Sequence, residues 1–469
     1  MSQPTSSAAS DPRNPHQMPL HRKVTYSFTD LSGNLLYCII STYALYYFTE
    51  VYGLSMAVAG TILLVARFFD AFDAPIWGVI IDHTHTKWGQ SRPWFLWMAV
   101  PFSLFVFLLF CAPPIGDTTA RAWYAGVVYV LAGISYTGMS APITSVLPNL
   151  TSNPDERNVA STFRMVGGNV GNFLAVTFIL PLATKLGGSS TSANGWRLAV
   201  GLYCLVALVL LVVAFLDMRE QNIERTKPIS IRQSFKAAKG NWPWILVVVA
   251  NVIFWIGFTS RTSMLPYYFR YNVGDESWTS ILNGISIIQV LGMMSVPFLC
   301  KRLHLWGTTL LALGFAGAGQ IGLALTGGFM PGMIVSWCVA CLGTGTLCSL
   351  FVLMVTYSVD FGEWKNGIRA AGLLTAIGSS FCIKMGSGIG AFLPSQILHA
   401  FGFSEGVKVQ SAAALGAIHF SFTWLPLIVF LICMIPVYLY KRYEDQQDKV
   451  LGDLKNREAE KKTEVAAEA

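Results

Sequence analysis

The chain has 469 residues, of which 53% are hydrophobic and 12% charged, and its mean hydropathy is +0.52. That charged share is about half of what a soluble domain carries, and a single globular core cannot absorb so much apolar surface, whereas a bundle of spans of roughly 20 apolar residues can use all of it. The net charge of +7 falls in short loops and a C-terminal tail without interleaved aromatics, which argues against a nucleic-acid surface and suits anionic lipid at a membrane face.

Residues 1–22 are polar and Pro/Ser-rich, lack the apolar run of a signal peptide, and are expected to form a disordered cytoplasmic tail. Apolar runs then recur at 26–53, 55–82, 92–114, 121–148, 161–187, 195–218, 242–269, 278–303, 306–327, 330–358, 371–401 and 411–440. Their lengths predict an all-α membrane protein of twelve transmembrane helices, in two six-helix bundles at 23–218 and 242–440. The charged stretch 219–241, which contains Pro228, reads as a cytoplasmic linker, and 441–469, rich in Lys and Glu, as a solvated cytoplasmic tail. Lys87 and Arg92, the basic residues of the linker, Lys301 with Arg302, and Lys365 with Arg369 fall in alternate loops, which places both termini in the cytoplasm. Pro75 followed by Trp88-Gly89 is echoed by Pro297 followed by Trp306-Gly307, a faint trace of duplicated halves. Carriers built that way bind substrate near the midplane between repeats and expose it alternately to each side.

An ionisable side chain at mid-bilayer costs about 2.5–3.5 kcal/mol on insertion scales, so each one needs a partner or a task. Span one carries Asp30 with Asn34 one turn on, and Tyr26 and Tyr37 nearby. Span two carries Arg67, Asp70 and Asp73 at i,i+3 spacing, on one side of a helix; Arg67 and Asp70 either neutralise each other or join Asp73 in holding a proton or sodium ion. On span four Thr137, Ser140 and Thr144 form a hydroxyl stripe beside Tyr136, which lines a polar cavity or bonds back to the preceding turn. Span five has Arg164 with Gly168 and Asn172 on the same face. Lys384 stands among Ser379, Ser380, Gly386, Ser387 and Gly388 in span eleven, and Arg261 in span seven is either a structural or a functional cation. Charged and amide groups that bond hydroxyls, together with aromatic faces, suit a polyhydroxylated ring. A membrane enzyme would also bury such groups, but HExxH, GxSxG and intramembrane His–carboxylate pairs are all missing, so no enzyme is expected.

The segment LLVARFFDAFDAPIWGVIIDHTHTKWGQSRPW (63–94) resembles the signature of the glycoside-pentoside-hexuronide:cation symporters, the branch of the major facilitator superfamily that includes melibiose permease. YSVDFGEWKNGIR (357–369) resembles that family's second signature, and YYFTEVYGL (46–54) a third stretch. The resemblance covers nearly the whole chain and implies the major facilitator fold and sugar import by alternating access. Arg164 and Lys384 match sugar-contacting cations of the family, and Tyr136 and Gly167 match positions that line the sugar pocket. Asp70 matches the first carboxylate of the cation site, with Thr137 a hydroxyl beside it.

There are departures. Asn34 replaces an acidic sugar ligand, Ala74 the second span-two carboxylate, Ser140 a span-four aspartate, and Thr144 and Cys348 two packing aromatics. A hard cation wants several oxygen ligands, so these losses favour a co-transported proton through Asp70 or Asp73 over sodium, with uncoupled transport as the alternative. Loss of the span-one carboxylate leaves Arg164 and Lys384 in a more cationic pocket, which points to an anionic hexuronide ahead of neutral glycosides; a lysolipid carrier is the reading from another substrate class. Substrate contacts are thus expected from Asn34, Tyr37, Tyr136, Ser140, Thr144, Arg164, Gly167, Ser380 and Lys384. Asp82, Lys87, Arg92, Asp360, Glu363 and Arg369 form a candidate cytoplasmic gate of salt bridges, or merely anchor the loops. No cofactor or metal is expected; the partners are the sugar and the lipid bilayer, and the monomer is the expected functional unit.

Overall fold

The computed structural model describes residues 18–84, 86, 88–89, 91–150, 154–218, 239–367, 371–407 and 409–468. Lys87, Arg369 and most of the linker lie outside them, as do the side chains of Asp82 and Thr144. The chain divides into two compact units, one formed by Met1–Leu54 and Phe72–Thr226, the other by Ser55–Ala71 and Lys227–Ala469.

The first unit holds α1 (Leu20–Tyr46), the second part of α2 (Met56–Asp82), α3 (Arg92–Leu109), α4 (Thr118–Ser145), the short α5 (Leu147–Leu150), α6 (Pro154–Gly187) and α7 (Ala193–Asp217). The other holds the first part of α2, α8 (Trp242–Tyr267), α9 (Ser277–Ile285), α10 (Gln289–Leu325), α11 (Met330–Asn366), α12 (Ala371–Ala376), α13 (Cys382–Ala400), α14 (Ala412–His419) and α15 (Leu425–Glu468). Among the described residues nine helical stretches are long and apolar enough to cross a membrane. One of them, Ser277–Leu325, has 49 residues, more than twice what a bilayer core needs, and breaks at His304, whose φ of 58° no right-handed helix accommodates. That break separates the expected eighth and ninth spans. With α1 and α2, each 27 residues long but carrying mid-helix charges, the order of helices is consistent with twelve crossings.

Helix ends depart from the apolar runs for identifiable reasons. α3 stops at Leu109 rather than at 114 because Pro113 and Pro114 follow and the residue before a proline avoids the helical region. α11 runs on to Asn366, where Gly367 at φ 67° closes it, so Asp360 and Glu363 sit in the last turns of a helix instead of a loop. The C-terminal stretch is helical: α15 continues to Glu468, and Tyr440, Tyr443 and Val450 are buried. Those three apolar residues share one helical face among the lysines and glutamates, and that face packs back on its unit. Glu444 accepts from the main-chain N–H groups of Leu305 and Trp306 (2.5 and 3.0 Å), capping the helix that restarts after His304. Trp364 Nε1 donates to Asp453 at 2.9 Å.

A clearer internal repeat than the Trp-Gly pair marks the ends of α1 and α8. Tyr46-Tyr47-Phe48 and Tyr267-Tyr268-Phe269 each lead into a π-helical turn (Tyr47–Val51 and Tyr268–Val273). Each turn is followed by a glycine in the left-handed region, Gly53 at φ 72° and Gly274 at φ 84°. The phenylalanine carbonyls close both motifs in the same way, Phe48 accepting from Leu54 at 2.8 Å and Phe269 from Asp275 at 3.0 Å.

In the first unit α6 lies directly against α1. A Cβ on Gly167 would strike the carbonyl oxygen of Ser27, and one on Gly171 that of Leu31, so a small residue every four positions lets the two backbones touch. Gly171→Val should therefore push α1 off α6 and lower stability by about 1–3 kcal/mol, the usual cost of overpacking. The unfolding midpoint of the purified protein checks this, with Gly314→Val, where an added Cβ meets nothing within 4 Å, as the control expected to stay unchanged.

Candidate functional site

Two clusters of polar side chains are built, one in each unit. In the first unit α1 and α6 bring Asp30 and Arg164 together: Arg164 Nε lies 3.7 Å from Asp30 Oδ2, and both side chains keep about a fifth of their surface exposed, 19% and 23%. At 3.7 Å the pair is an ion pair without a direct hydrogen bond, and Arg164 Nε has no hydrogen-bond partner among the described residues. Asn34 donates to the main-chain oxygen of Asp30 at 2.9 Å. Gly168, one turn after Arg164, keeps the space over this pair open: a Cβ there would lie 3.1 Å from Asn34 Nδ2 and 3.6 Å from Asp30 Oδ2. One turn further along α1, Tyr37 stacks on Tyr136 of α4 with ring centroids 4.2 Å apart and an interplanar angle of 17°. Tyr26, one turn before Asp30, ties α1 to α4 by donating to Ile143 O at 2.8 Å.

The exchange of the span-one carboxylate for Asn34 thus does not leave Arg164 uncompensated. Asp30, one turn earlier, stands on it. Gly167 faces the α1 backbone at Ser27. In the hydroxyl stripe, Thr137 bonds back to Gly133 O at 3.3 Å and Ser140 to Thr137 O at 3.4 Å.

In the other unit the first part of α2 packs on α13. Glu405 accepts from the N–H of Met56 at the start of α2 (2.5 Å), and Gln396 donates to Ala57 O at 3.2 Å. Gly60 and Gly388 make the approach close: a Cβ on Gly60 would strike the Ser395 hydroxyl, and one on Gly388 would lie 2.8 Å from Arg67 Cβ. Along this seam Arg67 Nη1 is 3.4 Å from Asp70 Oδ2, both nearly sealed from solvent, and Lys384 Nζ donates to the main-chain oxygen of Asp70 at 2.5 Å. Asp70 is 2% exposed and Lys384 6%, and Asp70 Oδ1 has no hydrogen-bond partner among the described residues. Lys384 therefore sits with the carboxylate of span two, while Ser380, a turn before it in the π-helical turn Ile377–Phe381, is exposed. Asp73 is also buried.

Of the gate candidates, Arg92 is held inside the first unit. Its Nε and Nη2 both donate to Phe215 O, at 2.9 and 2.5 Å, and its guanidinium carbon lies 4.4 Å from the Phe215 ring centroid, which caps the end of α7. Tyr440 and Tyr443 of α15 lie close enough to Asp360 to feel its charge. The sequence places Asp30 and Arg164 among the charges expected to reach a cavity but does not single them out as a pair, since contact across more than a hundred residues leaves no local pattern.

Comparison with known proteins agrees with this architecture. The model of the family described as "MFS/sugar transport protein" matches residues 25–442. The isoprimeverose transporter of Lactiplantibacillus pentosus is 39% identical over 452 residues, covering 95% of this chain and 93% of that protein. The uncharacterized symporter YnaJ of Bacillus subtilis (strain 168) is 28% identical, with coverage of 95% and 96%. A solved bacterial homolog of the human lysosomal transporter Spinster, in an inward-facing and unoccupied conformation, superposes with a TM-score of 0.71 at 13% identity, covering 94% of this chain and 99% of that one, and so shares the fold. The match along nearly the whole chain, on a scaffold of apolar helices with buried charges, makes this chain a member of the MFS/sugar transport protein family, a multi-pass membrane carrier and not an enzyme.

Proposed function

We propose that the protein is a proton-coupled symporter that imports a neutral glycoside across the inner membrane, both termini lying in the cytoplasm and the monomer being the transporting unit. The sugar binds at Asp30, Asn34 and Arg164, with the stacked Tyr37–Tyr136 pair as its aromatic wall and Ser140 and Thr144 on the same helix as Tyr136. The observation that carries this reading is the Asp30–Arg164 pair, partly exposed and 3.7 Å apart. A carboxylate accepts from hydroxyls and a guanidinium donates to them, so the pair offers complementary groups to a diol, and its balanced charge favours a neutral sugar over a uronate. The name of the isoprimeverose transporter, a relative along almost the entire chain, supports a glycoside as substrate.

The sealed group is Asp70, and we assign it the coupling ion. A proton needs only the free Oδ1 oxygen, whereas sodium would need a shell of oxygens where Arg67 and Lys384 already supply two positive charges. Uptake of labelled glycosides into proteoliposomes tests the whole reading. A proton gradient should drive accumulation of one or a few neutral glycosides, and a sodium gradient alone should not. Absence of transport across the panel would overturn the substrate assignment, and sodium-driven accumulation would overturn the choice of ion.

A further inference from the structure

Arg261, in the last third of α8, has no exposed surface at all. Its guanidinium carbon lies 4.5 Å from the ring centroid of Trp337 and 5.7 Å from that of Phe258. None of Nε, Nη1 and Nη2 has an oxygen acceptor among the described residues. The ionisable groups close enough to be felt are the thiols of Cys341 and Cys348, which are weak acceptors and are neutral when protonated. Arginine does not shed its charge in proteins, so a full positive charge stands inside a helical bundle without a carboxylate counter-charge among the described residues. The ring beneath it is fixed. Trp337 Nε1 donates to Leu282 O at 2.9 Å and to Ser286 Oγ at 3.0 Å, which holds the indole face toward the cation. Ser421 is also fully buried with its hydroxyl unpartnered, and it belongs to the π-helical turn Phe420–Trp424 that packs on α8.

An aromatic face attracts a cation but accepts no conventional hydrogen bond, and a buried charge is stable only when paired or fully solvated by dipoles. Water could satisfy the N–H groups and would leave the charge; an anion satisfies both. We infer that Arg261, seated on Trp337, forms a binding site for a small monovalent anion of chloride or carboxylate size, inside the second unit. Complete burial restricts the occupant to something small, and the planar donor fork suits a halide or one carboxylate equally.

Thermal unfolding of the purified, full-length protein tests this. Sodium chloride is titrated against the sodium salt of a bulky sulfonate buffer at constant ionic strength, and sodium formate is titrated in a parallel arm. The wild-type midpoint should rise with chloride and reach a plateau, as binding to the folded state requires. Arg261→Met, which keeps length and apolar bulk, should lose this dependence and be at least as stable as wild type without chloride; Arg261→Lys should keep a weaker dependence. If formate stabilises where chloride does not, the occupant is a carboxylate; if chloride alone acts, it is a halide. A wild-type midpoint indifferent to both anions overturns the site, as does an equal anion effect in Arg261→Met. Should Arg261→Met fail to fold, bromide in crystals of the wild type should give an anomalous peak beside Arg261, and its absence overturns the site. If Cys341→Ser removes stability while wild type ignores both anions, the counter-charge is a thiolate and the inference falls.

Discussion

Arg164→Ala is expected to abolish measurable glycoside binding, a loss of at least about 100-fold in affinity. Two costs add. The substrate loses a charge-assisted donor, worth about 1.5–3 kcal/mol, and Asp30 is left half-buried with an unmatched charge that the sugar must then desolvate. Arg164→Lys keeps the charge but not the planar fork, so it should retain weakened binding. Asp30→Asn should weaken binding less than Arg164→Ala, because an amide oxygen still accepts from a hydroxyl. Titration calorimetry with the transported glycoside measures all three, and membrane expression separates binding loss from misassembly. Wild-type affinity in Arg164→Ala would show that the pair only joins α1 to α6. The double variant Asp30→Asn/Arg164→Gln sharpens the point: if the two residues act as one unit on the sugar, their effects will be far from additive.

Most of the architecture was readable because lipid imposes a strict length on apolar runs, and most helix boundaries follow from that constraint together with proline and glycine. The charged residues of spans one, two, five and eleven were readable for the same reason: hydrocarbon tolerates so few that each stands out. What the sequence concealed was pairing. Asp30 and Arg164 are 134 positions apart, and Asp70 and Lys384 are 314 apart, so neither contact has a local signature. The Asp30 carboxylate offsets the Arg164 charge, a pairing that no local spacing in the sequence announces. Two signals were present and readable. The Tyr-Tyr-Phe repeat at positions 46 and 267 reports duplication better than the Trp-Gly pair does. Tyr440, Tyr443 and Val450 fall on one helical face of a charged stretch, the mark of a segment that packs on its unit.

Asp70→Asn is expected to eliminate accumulation of the sugar against its gradient while leaving exchange of labelled for unlabelled sugar at a rate within a few-fold of wild type. The trio Arg67, Asp70 and Lys384 carries one net positive charge when the carboxylate is ionised and two when it is protonated. Protonation therefore weakens the attraction that holds Arg67 Nη1 at 3.4 Å and places two cations around a neutral group, in a setting of low dielectric where such changes are large. Lys384 donates to the Asp70 main chain, so loosening it also loosens the seam between α2 and α13. On the proposed coupling role of Asp70, proton binding and movement of the first part of α2 become one event, which is what coupling requires. The asparagine variant mimics the protonated charge state permanently: it should still carry sugar downhill but have nothing left to titrate, so its exchange rate should lose the pH dependence of the wild type. Concentrative uptake that survives in Asp70→Asn, or that disappears in Asp73→Asn alone, would move the coupling role away from Asp70.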